Sequence, residues 1–186
     1  ELPHRFAEVK SQKSKVKSEA TPGEGFRQMR ERFLKVRGLN LCLCEWGEEN
    51  QPLVLLLHGI LEQGASWAEL GLKLANQGYH VIAPDSRGHG KSDKISAGAS
   101  YHLLDFLGDV DAIANQVSEQ PFILVGHSFG SVIAAMYASI RPEKVERLIL
   151  VETVLPGESK EEEAVEQLTT HLNYLATPPE HPIFPN

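Results

Sequence analysis

From about residue 33 onward, the apolar and polar positions sort into short strands and helices that alternate. "RFLKVRGLNLCLCEWG" reads as two strands around Arg37-Gly38, a hairpin. "PLVLLLHG" is a continuous apolar run ending in His58-Gly59, the pattern of a parallel strand buried on both faces. "YHVIAPD", "FILVGH" and "VERLILVE" are further strands of the same kind. Between them, the spacing predicts helices over Ala65 to Asn76, over residues 101–117 and over residues 129–140. The first should turn Trp67, Leu70, Leu72 and Leu74 towards a core and end at Gly78. Near the end of the chain, Val165, Leu168, Leu172 and Leu175 recur at helical steps, behind an acidic first turn that suits the helix dipole. Strands and helices that alternate at this spacing form right-handed βαβ units and an α/β fold, a mostly parallel sheet with helices on both faces. Residues 1–30 stand apart. "EVKSQKSKVKSEATPGEG" has too little apolar surface to offset its ordering entropy, so a flexible tail or linker is expected there. The expected core is then 31–156, followed by a separate region over 157–186.

Composition changes this picture only by exclusion. The 186 residues suffice for one domain with a core, and 41 % of them are apolar. Eighteen basic and 25 acidic side chains leave a formal charge of −7, with no global positive field to attract nucleic acid or an anionic membrane. No apolar run approaches the roughly 18 residues of a membrane span, and no signal peptide is visible. Cys42 and Cys44 share one face of a strand, too close along one chain for a disulfide and too few for a metal site. They read as packing thiols in a reducing cytoplasm, and neither cofactor nor metal is expected.

In a parallel sheet, sites lie at the carboxyl ends of the strands, and four loops there carry candidate chemistry. In "VGHSFGSV" a buried strand turns into a helix around one hydroxyl, flanked by Gly126 and Gly130. A strained turn of this kind lifts Ser128 to the top of the sheet and sets it at a helix N-terminus, which favours developing negative charge. A tight Gly-Ser-Gly packing turn is the rival explanation, but the strand–turn–helix context favours a nucleophile. In "LLLHGILEQGASW" the loop after a buried strand can present an N–H to an oxyanion. The candidate donors are the backbone N–H groups of Ile60 and Phe129. His58 is expected to hold this loop rather than act as a base. "APDSRGHGKS" is a compact turn in which Asp85 and Ser92 should bond turn amides and His89 should be structural. In "LILVETVLP" Glu152 ends an apolar strand, where a carboxylate could orient a histidine base. By position alone, a strand-end acid that merely bonds loop amides is equally compatible.

With these loops the chain resembles the α/β-hydrolase superfamily from about Phe33 onward. "HGILEQGASW", "LILVETVLPGESKEEEAVEQLTTHLNYL" and "PPEHPIFP" are similar to the terminal thioesterase domains of modular polyketide synthases that end chains as terminal alkenes. This resemblance implies Ser128 as nucleophile, Glu152 as the acid after the sixth strand, and a late histidine as base. It implies hydrolysis of an acyl-phosphopantetheine thioester on an acyl carrier protein, then loss of carbon dioxide and of a β-sulfate. It also makes 157–186 the start of a helical lid and the leading tail an interdomain linker.

Triad order in this superfamily is serine, acid, histidine. After Glu152 only His171 and His181 remain, one in the amphipathic helix and one in the proline-rich "PPEHPIFPN". Neither follows a strand, so the base is expected beyond residue 186, and the 186 residues alone are expected to be inactive. The fold is accordingly expected to stop before its last strands, leaving "VERLILVE" as an open edge liable to pair with another copy. Two rival readings stay open: a carboxylesterase or carbon–carbon hydrolase, which would share every loop except the last, and a fragment that only binds.

Overall fold

The computed structural model describes residues 29–96 and 101–153. Six strands form one sheet in the order β1-β2-β4-β3-β5-β6. They are β1 (Arg30–Val36), β2 (Leu39–Trp46), β3 (Leu53–Leu57), β4 (His80–Pro84), β5 (Phe122–His127) and β6 (Val145–Val151). The hairpin β1–β2 turns at Arg37-Gly38 as expected, and β2 joins β4 antiparallel. The pairs β4–β3, β3–β5 and β5–β6 are parallel. The first described strand begins at Arg30, which pairs with Glu45 and whose guanidinium bonds the Gly47 carbonyl. The expected tail up to residue 28 and the lid region 157–186, with the helix from Glu161 to Ala176, His171 and His181, lie outside the described residues.

Side-chain alternation along the central strands divides the core into two layers. Leu53, Leu55 and Leu57 of β3 face one way, with Leu124 of β5 and Ile82 of β4. They pack against Phe106, Val110 and Ile113 of α2 (Leu103–Val117) and Ile133, Ala134 and Tyr137 of α3 (Phe129–Ile140). Val54, Leu56, Val81 and Val125 face the other way, with Trp46, towards α1 (Ala68–Ala75).

The helix expected from Ala65 starts as a turn of 3₁₀ helix over Gly64–Trp67, and α1 follows. Its buried residues are Gly71 and Ala75, while Leu70 is 37 % exposed, contrary to the sequence reading. The indole of Trp46 decides this: a Cβ on Gly71 would come within 2.7 Å of it, so a small residue must face the sheet there. Trp67, Leu72 and Leu74 pack at the margin of the cluster. Cys42 and Cys44 are free and buried, and burial pushes their thiols up to about 11 and about 12, so they are unreactive packing groups.

Among the described residues, strand β6 is the last of the sheet, beside β5. Leu148, Ile149, Leu150 and Val151 form a run as apolar as the buried β3 and are 38–48 % exposed. Among the described residues no helix is long and apolar enough to cross a membrane.

Candidate active site

At the carboxyl end of β5 the chain reverses through Ser128, whose φ of 49° and ψ of −116° lie outside the regions open to ordinary L-residues. Such a backbone costs on the order of 1–3 kcal/mol and persists only where its surroundings enforce it. Here the Ser128 N–H donates to the Val151 carbonyl at 2.9 Å, which ties the turn to the end of β6. The Ser128 carbonyl accepts from the Ser131 N–H and from the Ser131 hydroxyl. The two flanking glycines are needed for close approach. A Cβ on Gly126 would lie 2.5 Å from the Gly130 carbonyl oxygen, and one on Gly130 would lie 2.4 Å from that of Leu57. Side chains at either position would push the turn off the sheet.

The loop after β3 lies against this turn: a Cβ on Gly59 would come within 3.3 Å of the Ser128 Cβ. Ile60 follows, 59 % exposed, and none of the described residues accepts its N–H. The Phe129 N–H opens α3, where helix geometry leaves it no intrahelical acceptor. The Phe129 ring packs edge-on against Phe106 at 5.1 Å, which anchors the first turn of α3. Glu152 immediately follows β6 with φ of 50°, and its side chain is 81 % exposed. The fold therefore gathers Ser128, Glu152, Ile60 and Phe129 at one end of three adjacent strands.

His58 holds the loop, as its sequence context suggested. Its Nδ1–H donates to the Gly59 carbonyl at 2.7 Å, and its Nε2 accepts the Ser86 N–H at 3.0 Å. That pattern requires a neutral ring, and burial holds its pKa below the ordinary imidazole value. Asp85 accepts the Gly64 and Lys91 N–H groups at 2.6 and 2.7 Å. Ser92 differs from expectation in its partners: its hydroxyl accepts from the Cys42 N–H of β2 and donates to the Asp85 carbonyl, so it ties the turn to β2 instead of accepting from a turn amide. His89 contacts the Arg87 carbonyl at 3.0 Å and packs its ring against His58.

Three features were not read from the sequence. His127, the variable position inside G-x-S-x-G, lies between two carboxylates, with Nδ1 3.0 Å from Glu62 and Nε2 3.3 Å from Glu152. Both nitrogens therefore face acceptors, which favours the imidazolium, and the Glu62 contact first and Glu152 second raise its pKa. Glu62 is held below the ordinary carboxylate range by His127 and by the Gly59 N–H, which donates to it at 2.8 Å. No spacing rule selects either residue, because they meet 65 positions apart. The third feature is the buried pair Arg87–Asp109, two contacts of 2.6 Å joining α2 to the turn after β4. Its one sequence signal was a lone acid on the apolar face of α2, beside Phe106, Val110 and Ile113.

Two hollows lie beside the Ser128 turn. One, of about 20 Å³, runs between α2 and the first turn of α3 and has room for about one water. The other, of about 150 Å³, is lined by Glu62, Ser66, Trp67, His127 and Val151. Among the described residues no cluster of histidine, cysteine or carboxylate side chains could hold a metal ion.

A strained Gly-x-Ser-x-Gly turn follows a central parallel strand, a glycine-containing loop follows its neighbour and a glutamate follows the next strand, and residues 52–183 match the family model of the alpha/beta hydrolase fold. The chain belongs to the α/β-hydrolase family. Among solved structures, the "Thioesterase Domain From Curacin Biosynthetic Pathway" is 50 % identical, with a TM-score of 0.74, over 84 % of this chain and 57 % of that one. An epoxide hydrolase of Vigna radiata, VrEH1, is 28 % identical with a TM-score of 0.67, over 76 % of this chain and 47 % of that one. Among curated proteins, the "AB hydrolase superfamily protein YfhM" of Bacillus subtilis is 36 % identical over 64 % of this chain and 42 % of its own length. Epoxide hydrolase A of Mycobacterium tuberculosis is 36 % identical over 55 % of this chain and 32 % of its own. The chain thus spans less than two thirds of each of these relatives.

Proposed function

We propose that this chain carries the nucleophile, oxyanion site and acid of a polyketide synthase thioesterase. The observation that carries the reading is the 50 % identity with a thioesterase domain across a region that includes the strained Ser128 turn. In this reading the Ser128 hydroxyl attacks the carbonyl of an acyl chain held as a phosphopantetheine thioester on an acyl carrier protein. The oxyanion that forms is met by the N–H groups of Ile60 and Phe129, which are positioned before the reaction starts. The thiol leaves, an acyl-enzyme remains, and water releases the acid. Glu152 orients a histidine base that comes from outside the described residues. The strain at Ser128 serves this chemistry, because it lifts the hydroxyl clear of the sheet and points α3 at the developing charge.

A finer version follows from the resemblance to alkene-forming thioesterases. If the acyl chain carries a β-sulfate, the released carboxylate loses carbon dioxide. The electrons of the broken carbon–carbon bond form the terminal double bond, and sulfate departs from the β-carbon.

The test is intact-mass detection of an acyl-enzyme on the full-length protein with an acyl thioester. Mass should be gained at Ser128 and lost in Ser128→Ala. Acylation that maps to Ser131 or Ser92 would sink the assignment. Equal turnover of thioester and simple ester would favour a carboxylesterase, and a β-sulfated substrate released as the intact acid would remove the alkene step.

A further inference from the structure

We propose that Glu62 and His127 act as a pair of positioning residues that set the oxyanion loop at its working distance from Ser128. The proposal rests on the thioesterase reading and deepens it.

The geometry is closed. One oxygen of Glu62, Oε2, takes both the Gly59 N–H at 2.8 Å and His127 Nδ1 at 3.0 Å. Gly59 is the residue before the oxyanion donor Ile60, and His127 is the residue before the nucleophile. A single carboxylate oxygen therefore joins the oxyanion loop to the nucleophile turn, one residue from each reacting group. The space between them is filled: the Cβ that Gly59 lacks would lie 3.1 Å from His127 Nδ1 and 3.3 Å from the Ser128 Cβ. Trp67 closes the outer side, edge-on to the His127 ring at 6.4 Å.

The loop needs such a tie. The backbone is left-handed at Leu61, which is 92 % exposed, and Ile60 is 59 % exposed. Neither side chain anchors the segment. Among the described residues, and apart from His58 on the inner side, the polar contacts that hold Gly59 are those with Glu62, whose own N–H also donates to the Gly59 carbonyl at 3.2 Å. The charged groups that face His127 are Glu62 from this loop and Glu152 from the end of β6. Of these, Glu62 is the nearer, and it is the one that remains if Glu152 turns to a histidine base.

A donor that drifts a few tenths of an ångström from the oxyanion loses transition-state stabilisation and leaves substrate binding intact. The experiment uses the full-length protein, with hydrolysis of an acyl N-acetylcysteamine thioester measured for the parent, Glu62→Ala, Glu62→Gln and Ser128→Ala. Glu62→Ala should lower kcat on the order of 10- to 100-fold, less than the loss of a whole oxyanion donor, with KM within about twofold. Glu62→Gln keeps an oxygen for the Gly59 N–H and should recover most of kcat. Imidazole NMR of Glu62→Gln should show His127 titrating at lower pH than in the parent, a readout that merely losing packing would not move.

Parental kcat in Glu62→Ala beside a dead Ser128→Ala overturns the positioning role alone. The same follows if Glu62→Gln fails to rescue, or if its His127 titrates as in the parent. Equal hydrolysis by the parent and Ser128→Ala overturns the thioesterase reading and the positioning role with it.

Discussion

The loop after β3 has two sides, and a histidine holds each. On the inner side, His58 is buried and neutral, and bonds backbone groups at both nitrogens. On the outer side, His127 is partly exposed, lies between two carboxylates and favours its charged form. The two rings flank the same glycine yet solve different problems. The inner one fixes the loop to the sheet, where an unpaired charge would be costly. The outer one is a charge-assisted link that water can reach and that a moving carboxylate can share. The difference teaches that a histidine near Ser128 is defined by its hydrogen-bond partners. His58 could not serve as a base without losing its Ser86 contact, whereas His127 is committed to acids.

The largest expected effect tests whether chemistry belongs to the outer side. Glu152→Gln in the full-length protein should lower turnover by about 10⁴-fold, if the acid behaves as it does in the serine-protease template. Turnover within about threefold of the parent, in a steady-state assay with a thioester, would move the acid elsewhere and leave Glu152 as an exposed neighbour of His127.

A smaller effect tests the inner side. His58→Ala should strip the Ser86 N–H of its acceptor and lower stability by about 1–3 kcal/mol, read from urea unfolding. The folded protein holds His58 below its ordinary pKa, so the neutral form is the one it favours. The stability His58 contributes is therefore full above about pH 6.5 and declines as pH falls below that value. The gap between the parent and His58→Ala should narrow towards about pH 5. A gap that widens in acid would mean that His58 is charged in the folded state.

The smallest effect has the opposite slope. His127 has a raised pKa in the folded protein, so its contribution is full below about pH 6.5 and is lost as pH rises through the folded value. Because the side chain is open to water, His127→Asn should cost less than about 1 kcal/mol, and only on the acidic side. Urea unfolding across the same pH series, compared with that of His58→Ala, should give two lines of opposite slope. Parallel lines would erase the distinction between the two sides.

Much of this site was legible in the chain. Ser128 was marked by a switch from an apolar strand to small residues at helical spacing, and that switch is where β5 becomes α3. The loop at His58-Gly59 and the acid at Glu152 were marked by where apolar runs end. These features are local, and period and punctuation suffice to find them. Glu62, His127 and the pair Arg87–Asp109 were not legible, because each depends on which distant segment arrives beside it. The inward face of α1 was misjudged for the same reason: Leu70 fits the helical stripe, but the Trp46 indole already fills that space and leaves room only for Gly71.

Two strands mark the boundary between what the sequence determined and what the tertiary structure decided. "LVLLL" of β3 and "LILV" of β6 are equally apolar, and both were recognisable as strands. Alternation and hydrophobicity are properties of the chain itself, so element type, element order and the position of the Ser128 turn follow from it. Burial depends on neighbours. β3 lies between β4 and β5 with helices on both faces and is fully buried, whereas among the described residues β6 has a strand partner only in β5. The state of the two histidines is set in the same way, since a ring's protonation answers to the groups that folding brings to its nitrogens: the Ser86 N–H from the turn after β4 for His58, and the carboxylates of Glu62 and Glu152 from two different loops for His127.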